Sequence, residues 1–149
     1  MTAEADPPAF GDHLIRIKLV VRLLVLSGES PVDKPAMTTI LHPEMHSLAA
    51  PGIAPARSYE NRTQFLEYFP DAVGRGFQVR PDASEIRVLP SGAVWAAGGL
   101  CVTTPAGADT TPAWFIYTFR EGLIDSLETY LDRDLAEQSL QARIFRPGD

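Results

Sequence analysis

The first helix is predicted over residues 13–26, which contain the most apolar run of the chain, residues 14–26. Charged residues at positions 16, 18 and 22 interrupt this apolar stretch. A membrane span needs roughly 20 apolar residues, so the stretch is too short and too charged to be one. Asp12 is the expected N-cap, and Gly28 and Pro31 follow the last turn, as is typical of a helix end. The pattern therefore indicates a soluble helix.

Two further helices are predicted before the pattern changes. The segment 34–41 follows Asp33, a residue that favours the N-cap position. A third helix is expected to begin at an N-cap, Ser58, and to end near Pro70. A short strand and a long proline-rich turn, residues 45–58, separate these two helices.

Beyond residue 76 the hydrophobic period changes from helical to alternating, which is typical of strands. Five strand-like segments follow: 77–81, 84–92, 93–104, 113–119 and 123–131. Gly98 and Gly99, in the middle of a long strand, predict a bulge or a sharp bend that lets the sheet curl. Helices followed by hairpin-linked strands predict an α+β fold, with a curled antiparallel sheet, N-terminal helices on its concave face and a cone-shaped pocket.

The length of 149 residues, with 45% hydrophobic and 21% charged side chains, fits one globular domain. We expect a flexible arm over residues 1–12, the domain over 13–141 and a tail over 142–149. The N-terminus carries Glu4 and Asp6 where a signal peptide would have basic residues, so a cytoplasmic protein is expected.

The charge balance narrows the expected partners. With 13 basic and 19 acidic side chains, the net charge of −6 disfavours nucleic acid, and no basic run offsets it. The single Cys101 excludes an internal disulfide bond. With only three histidines and no cysteine pair, neither a metal site nor a cofactor is predicted.

The order of these elements and the closing segment "FREGLIDSLETYLD" resemble the nuclear transport factor two-like superfamily, in particular its SnoaL-like branch. The middle segment "PGIAPARSYENRTQFLEYF" looks most like the fungal isomerases and cyclases of meroterpenoid and alkaloid pathways, which belong to this branch with small polyketide cyclases. The resemblance covers roughly residues 14–140. It implies cofactor-free acid–base chemistry in a conical cavity and a homodimer formed through the exposed sheet face. Other members of the superfamily are binding or scaffolding modules.

The last strand carries the candidate acids. Glu128 and Thr129 are consecutive, so only one of them can face the cavity. If Glu128 faces inward, burial would suit it as a catalytic acid or base; otherwise it lies on the wet face. The resemblance to epoxide hydrolases places their catalytic acid at Thr129, which counts against that reaction. Asp132 is either a pocket acid, as the resemblance to a cyclase implies, or the N-cap of a following short helix, and the cap is slightly favoured.

Two histidines and a tyrosine are further candidates. His46 begins an alternating segment and is the better pocket candidate as a proton shuttle, while His42 is a loop residue or a substrate contact. Tyr117 shares a strand face with Phe115 and Phe119, so its hydroxyl either donates to a developing oxyanion or is satisfied in the core.

Substrate-binding candidates surround the predicted pocket. Arg57 and Tyr59 would close its mouth and bind a carbonyl or carboxylate, although a surface arginine paired with an acid is the commoner case. The remaining candidates are aromatic or imidazole side chains that suit a bulky apolar ligand: Tyr68, Trp95, Trp114, Phe119 and His42. Aromatic residues at such spacings are also ordinary core residues.

The leading hypothesis is a cofactor-independent isomerase or cyclase that acts by acid–base catalysis on a hydrophobic secondary metabolite, such as a polyketide, terpenoid or alkaloid intermediate. Glu128, Asp132 or His46 would move the proton, and Tyr117 would polarise an oxygen. The alternatives are a non-catalytic ligand-binding or dimerisation module of the same fold, or a dehydratase that uses His46 and Asp132. No membrane partner is expected.

Overall fold

The computed structural model describes residues 10–29, 31–49 and 58–144. Within these ranges the chain forms four helices and five strands, in this order: α1 (Phe10–Ser27), α2 (Lys34–Thr38), β1 (Leu41–Ala49), α3 (Arg62–Gly74), β2 (Gln78–Val88), β3 (Val94–Thr104), β4 (Gly107–Arg120), β5 (Leu123–Tyr130) and α4 (Arg133–Ile144). Residues 1–9 and 145–149, which make up most of the predicted arm and tail, lie outside the described residues, as does the predicted turn over 50–57.

The five strands form one sheet in the order β1-β5-β4-β3-β2. Strands β2 to β5 pair antiparallel with their neighbours, whereas β1 pairs parallel with β5. The α+β class with N-terminal helices packed on the sheet is confirmed. The expectation of an antiparallel sheet was wrong at β1. After β1 the chain passes through α3 to the opposite edge of the sheet, where β2 lies, and the following hairpins bring β5 back beside β1.

Helices cover both faces of the sheet. On the side that we call the front face, α1 and α3 pack over the main core, which includes Val20, Leu23 and Leu26 of α1 and Phe115 and Tyr117 of β4. On the back face, α4 packs against β4 and β5, and its Ala136 joins Trp95 and Ile116 in a smaller cluster. No helix in the described ranges has the length and apolarity needed to cross a membrane.

The predicted N-cap of α1, Asp12, was wrong, because the helix begins at Phe10 and Asp12 lies within its first turn. The predicted cap of α2 is confirmed, since an Asp33 side-chain oxygen accepts a hydrogen bond from the Ala36 N–H at 3.0 Å. The Ser58 cap of α3 was wrong: Asn61 accepts from the Gln64 N–H at 2.9 Å instead. The reason is that Tyr59, next to Ser58, is extended and exchanges two backbone hydrogen bonds with Ser47 of β1.

The predicted irregularity near Gly98 is present, but the bulge lies in the partner strand. The register shifts between Ala83 and Glu85 of β2, directly opposite Gly98. A Cβ atom on Gly98 would lie 2.1 Å from the Asp82 carbonyl oxygen, so only glycine allows this approach. The predicted break between two strands over residues 81–83 was wrong, because β2 runs through it as an edge strand, where the missing N–H of Pro81 is tolerated.

Candidate functional site

An apolar cavity of about 90 Å³, which we call the first cavity, lies between the front face, α1 and α3. Its described lining is aliphatic, aromatic and hydroxyl-bearing: Leu23, Leu24, Ser27, Ser47, Ala49, Tyr59, Phe65, Tyr68, Phe69, Val79, Pro81, Leu100, Phe115, Tyr117, Leu127 and Thr129. None of these residues is an acid, a histidine, a lysine or an arginine. The polar groups that the described lining offers are therefore hydroxyls.

The register of β4 against β5 places the floor of the cavity. Tyr117 lies opposite Leu127, and Phe115 lies opposite Thr129. Since side chains alternate along a strand, these four residues share the front face. The prediction that Tyr117 and Phe115 share a face is confirmed.

Tyr117 is the deepest polar side chain of the cavity, with only 1% of its surface exposed. Burial raises its pKa well above the usual 10, so the hydroxyl keeps its proton at any physiological pH. Within the described part of the chain, no group forms a hydrogen bond with this hydroxyl. It is therefore free to donate to an acceptor that enters the cavity.

Four aromatic rings form one wall of the cavity: Tyr59, Phe65, Tyr68 and Phe69, which we call the aromatic cluster. They meet edge to face, with ring centroids 5.2 to 6.3 Å apart. The backbone bridge to Ser47 holds Tyr59 beside the edge of the sheet, and α3 supplies the other three rings. Tyr59 and Tyr68 were predicted as substrate contacts, and the structure brings both to the cavity with Tyr117.

The Tyr68 hydroxyl is also protonated. Burial, and secondarily the neighbouring Tyr59, raise the pKa of Tyr68 to about 12. The cavity therefore carries hydroxyls that act as neutral donors or acceptors near neutral pH.

Glu128 does not line the cavity. It lies opposite Ile116 on the back face, only 9% exposed, and accepts hydrogen bonds from the Tyr130 hydroxyl at 2.6 Å and the Ser139 hydroxyl at 2.8 Å. Neither of the two expected surroundings, the cavity or the wet face, describes it. The carboxylate instead ties β5 to α4 beneath that helix.

Asp132 is exposed and begins α4. Its side-chain oxygen accepts hydrogen bonds from the backbone N–H groups of Asp134 at 2.8 Å and Leu135 at 3.2 Å. The cap interpretation is therefore confirmed. The carboxylate is engaged at the helix end and does not line the cavity.

The two described histidines of β1 lie apart from the cavity. His46 is exposed on the back face, and in the strand register it lies opposite Ser126 of β5. His42 is buried at the other end of β1, where its Nδ1 accepts from the Glu44 N–H at 3.0 Å. This fixes the proton on Nε2, which donates to Glu121 at 3.1 Å. His42 therefore secures the β4–β5 turn.

The predicted tryptophan contacts also lie elsewhere. Trp95 and Trp114 belong to the back-face cluster under α4. Phe119 packs on the front-face core but outside the cavity lining, with the Arg16 guanidinium 5.0 Å from its ring centre. Arg57 lies outside the described residues.

The sequence did not single out Ser27 or Ser47 as cavity-lining hydroxyls, and it considered Thr129 only as the alternative to Glu128 on the cavity face. Strand alternation from Tyr117 across to β5 would have found Thr129, once the register was known. Ser27 and Ser47 carried no signal, because a small hydroxyl is equally common on a surface. Among the described residues, no group of three histidine, cysteine or acidic side chains could hold a metal ion.

No protein-family model and no curated protein matches the sequence. Solved structures do match in fold. A SnoaL-like polyketide cyclase from Jannaschia sp. CCS1 is 14% identical, with a TM-score of 0.63 over 92% of this chain and 99% of that one. TerC, co-crystallised with polyporic acid, is 15% identical, with a TM-score of 0.66 over 85% and 98%. Delta 5-3-ketosteroid isomerase from Mycobacterium sp. is 14% identical, with a TM-score of 0.62 over 79% and 93%. The chain therefore has the nuclear transport factor two-like fold, as predicted.

Proposed function

We propose that this chain binds a hydrophobic small molecule that places an acceptor oxygen in the first cavity, where the oxygen receives a hydrogen bond from Tyr117. The observation that carries the proposal is a buried hydroxyl with no partner among the described residues, set in a wall of aliphatic and aromatic side chains. This hydroxyl borders the cavity, so a hydrogen bond to a ligand oxygen would contribute a net of about 0.5–1.5 kcal/mol. Ketones and other carbonyl compounds fit this arrangement better than hydrocarbons.

A matched pair of ligands tests the proposal. Propiophenone and propylbenzene have the same ring and chain length, but only the ketone has an acceptor oxygen. A net hydrogen bond of about 0.5–1.5 kcal/mol predicts a preference for the ketone of about 2- to 10-fold by calorimetric titration. Tyr117→Phe should remove this preference and leave the hydrocarbon bound.

The control variant is Tyr130→Phe, because the Tyr130 hydroxyl donates to Glu128 on the back face. It should retain the preference for the ketone. Failure of both ligands to bind, or a preference that persists in Tyr117→Phe, would contradict the proposal.

Catalysis is the second candidate function, as a cofactor-independent isomerase or cyclase of a polyketide, terpenoid or alkaloid intermediate. The fold likeness to a cyclase and to a ketosteroid isomerase favours it, and Tyr117 is placed to stabilise an enolate oxygen. Proton abstraction also needs a base, which none of the described lining residues provides at neutral pH. The base would therefore come from water or from the chain outside the described residues.

Hydrogen exchange separates binding from catalysis. The protons next to the carbonyl of propiophenone exchange in D₂O through the enolate, and NMR follows their loss. A catalyst should accelerate this exchange, and Tyr117→Phe should slow it by about 10²- to 10³-fold, as the loss of an oxyanion donor typically does. If propiophenone binds but its protons exchange no faster than in buffer, the result contradicts catalysis and leaves ligand binding as the function.

The two remaining expectations are supported less. A dehydratase would need His46 and Asp132 in one cavity, and neither of them lines it. The homodimer stays a prediction, which sedimentation equilibrium at micromolar concentration tests directly.

A further inference from the structure

A second cavity of about 430 Å³ lies beside the first, between the end of α1, the start of α2, the C-terminal half of α3 and the start of β2. Its described lining is again mainly apolar: Ser27, Glu29, Pro31, Val32, Lys34, Tyr68, Phe69, Pro70, Ala72, Val73, Gly74, Phe77, Gln78 and Val79. Its charged side chains, Glu29 and Lys34, are both exposed. The interior is therefore suited to an apolar group.

The two cavities share a wall. Ser27, Tyr68, Phe69 and Val79 line both of them. Tyr68 and Phe69, which meet edge to face at 5.2 Å, therefore stand between the two cavities. A ligand that occupies both cavities would pass beside this ring pair and would not need to cross the sheet.

The volumes assign different parts of a ligand to the two cavities. Pockets for drug-sized ligands measure about 300–1,000 Å³. The first cavity, at about 90 Å³, is far below this range and holds only a small group, whereas the second, at about 430 Å³, is within it. The hydrogen-bond donor Tyr117 lines the first cavity and does not line the second. An oxygen-bearing group therefore fits the first cavity and an apolar body fits the second.

Tyr68 and Phe69, the ring pair of the shared wall, directly precede Pro70 in α3. Pro70 lies inside the helix and has no N–H to donate to the carbonyl four residues earlier. The helix ends soon afterwards, at Gly74. The ring pair thus stands on a helix end that can adjust to a ligand more easily than the sheet can.

We propose that the two cavities form one binding site for an elongated ligand, with its carbonyl end against Tyr117 and an unbranched apolar chain in the second cavity. This inference rests on the proposed function, because Tyr117 orients the ligand. Its new content is the ligand class, a ketone or related carbonyl compound with a long alkyl chain, and the place of that chain beside Val73 and Phe77.

A series of alkyl phenyl ketones, from propiophenone to octanophenone, tests the inference by titration. Each methylene that enters an apolar cavity should tighten binding by about fourfold, which corresponds to about 0.8 kcal/mol. The gain should stop once the second cavity is full.

Val73→Trp provides the critical variant, because Val73 lines the second cavity and is 56% exposed, so a larger side chain there is tolerated. It should weaken octanophenone at least tenfold and leave propiophenone unchanged. The matched control is Val25→Trp, since Val25 is 61% exposed on a helix and lines neither cavity. Octanophenone should bind this variant as it binds the unaltered protein.

The outcomes separate the two proposals. If propiophenone binds with the expected dependence on Tyr117 but affinity does not rise with chain length, the shared site is refuted and the proposed function stands. Unchanged octanophenone binding in Val73→Trp refutes the shared site in the same way. If propiophenone does not bind at all, the proposed function is refuted, and the shared site is refuted with it.

Discussion

Glu128 and Thr129 are consecutive residues of β5 that face opposite sides of the sheet. Thr129 lines the first cavity, while Glu128 is buried on the back face under α4. The carboxylate that the sequence offers most prominently thus has a structural position, and the cavity next to it is furnished with hydroxyls. Stability and ligand binding therefore depend on different faces of β5.

Glu128→Ala should destabilise the protein without weakening ligand binding. The substitution leaves the hydroxyls of Tyr130 and Ser139 without their shared acceptor, and a loss of this kind costs about 1–3 kcal/mol. Urea unfolding measures the change in the free energy of unfolding, and titration with propiophenone measures binding. Glu85→Ala is the control, because Glu85 is exposed and pairs with nearby Arg87, which is also exposed; it should change stability by less than about 0.5 kcal/mol. A loss of binding in folded Glu128→Ala would contradict the assignment.

Alkaline pH should destabilise the fold through its buried tyrosines. Tyr117 and Tyr68 have pKa values raised above 10 in the folded protein, the latter to about 12. Their contribution is fully present below about pH 10, the value in the unfolded chain. It is lost as pH rises towards the folded values, because the unfolded chain then releases protons that the folded chain keeps. Urea unfolding between pH 8 and 11 should show this decline.

Tyr117→Phe should make that decline shallower, since one of the two raised groups is then absent. Identical slopes for the variant and the unaltered protein above pH 10 would mean that Tyr117 is not protonated and buried as described.

Gly98→Ala should be strongly destabilising. The added Cβ would lie 2.1 Å from the Asp82 carbonyl oxygen and 2.7 Å from the Ala83 Cα, so the bulge of β2 must move. Such overpacking typically costs about 1–3 kcal/mol or more. Gly74→Ala is the matched change, because a Cβ there meets nothing within 4 Å; it should stabilise α3 by about 0.4–1 kcal/mol. Thermal unfolding of the two variants should give shifts of opposite sign.

Asp132→Ala should lower the free energy of unfolding by about 0.5–2 kcal/mol, because the two N–H groups at the start of α4 lose their acceptor. Asp132→Asn keeps a side-chain oxygen and should retain most of the stability. Both variants should bind propiophenone normally. Equal destabilisation by alanine and asparagine would argue against the cap.

The helices were predictable because their signals are local. The apolar run of α1 and the Asp33 cap of α2 depend on neighbouring residues alone. The partner of β1 was not predictable, since about half of the chain separates β1 from β5.

The candidate acid was misjudged for a physical reason. Strand alternation identifies a core face when the other face is wet, but α4 covers the back face here. Both faces of β5 therefore mix apolar and polar residues, and the sequence left the direction of Glu128 open. Trp95 and Trp114 also lie under α4, so in the sequence they have the pattern of buried residues. That pattern does not distinguish the back-face cluster from the cavity. Tyr117 was correctly assigned to the front face, because its neighbours on that side of the strand, Phe115 and Phe119, are both aromatic.

The central claim is that Tyr117 binds a ligand oxygen inside the first cavity, and a crystal structure of the propiophenone complex tests it most directly. We predict the ketone between Tyr117 and the aromatic cluster, with its oxygen about 2.7–2.8 Å from the Tyr117 hydroxyl oxygen. A ketone bound on the back face near Glu128, or one in the first cavity whose oxygen points away from Tyr117, would contradict the claim.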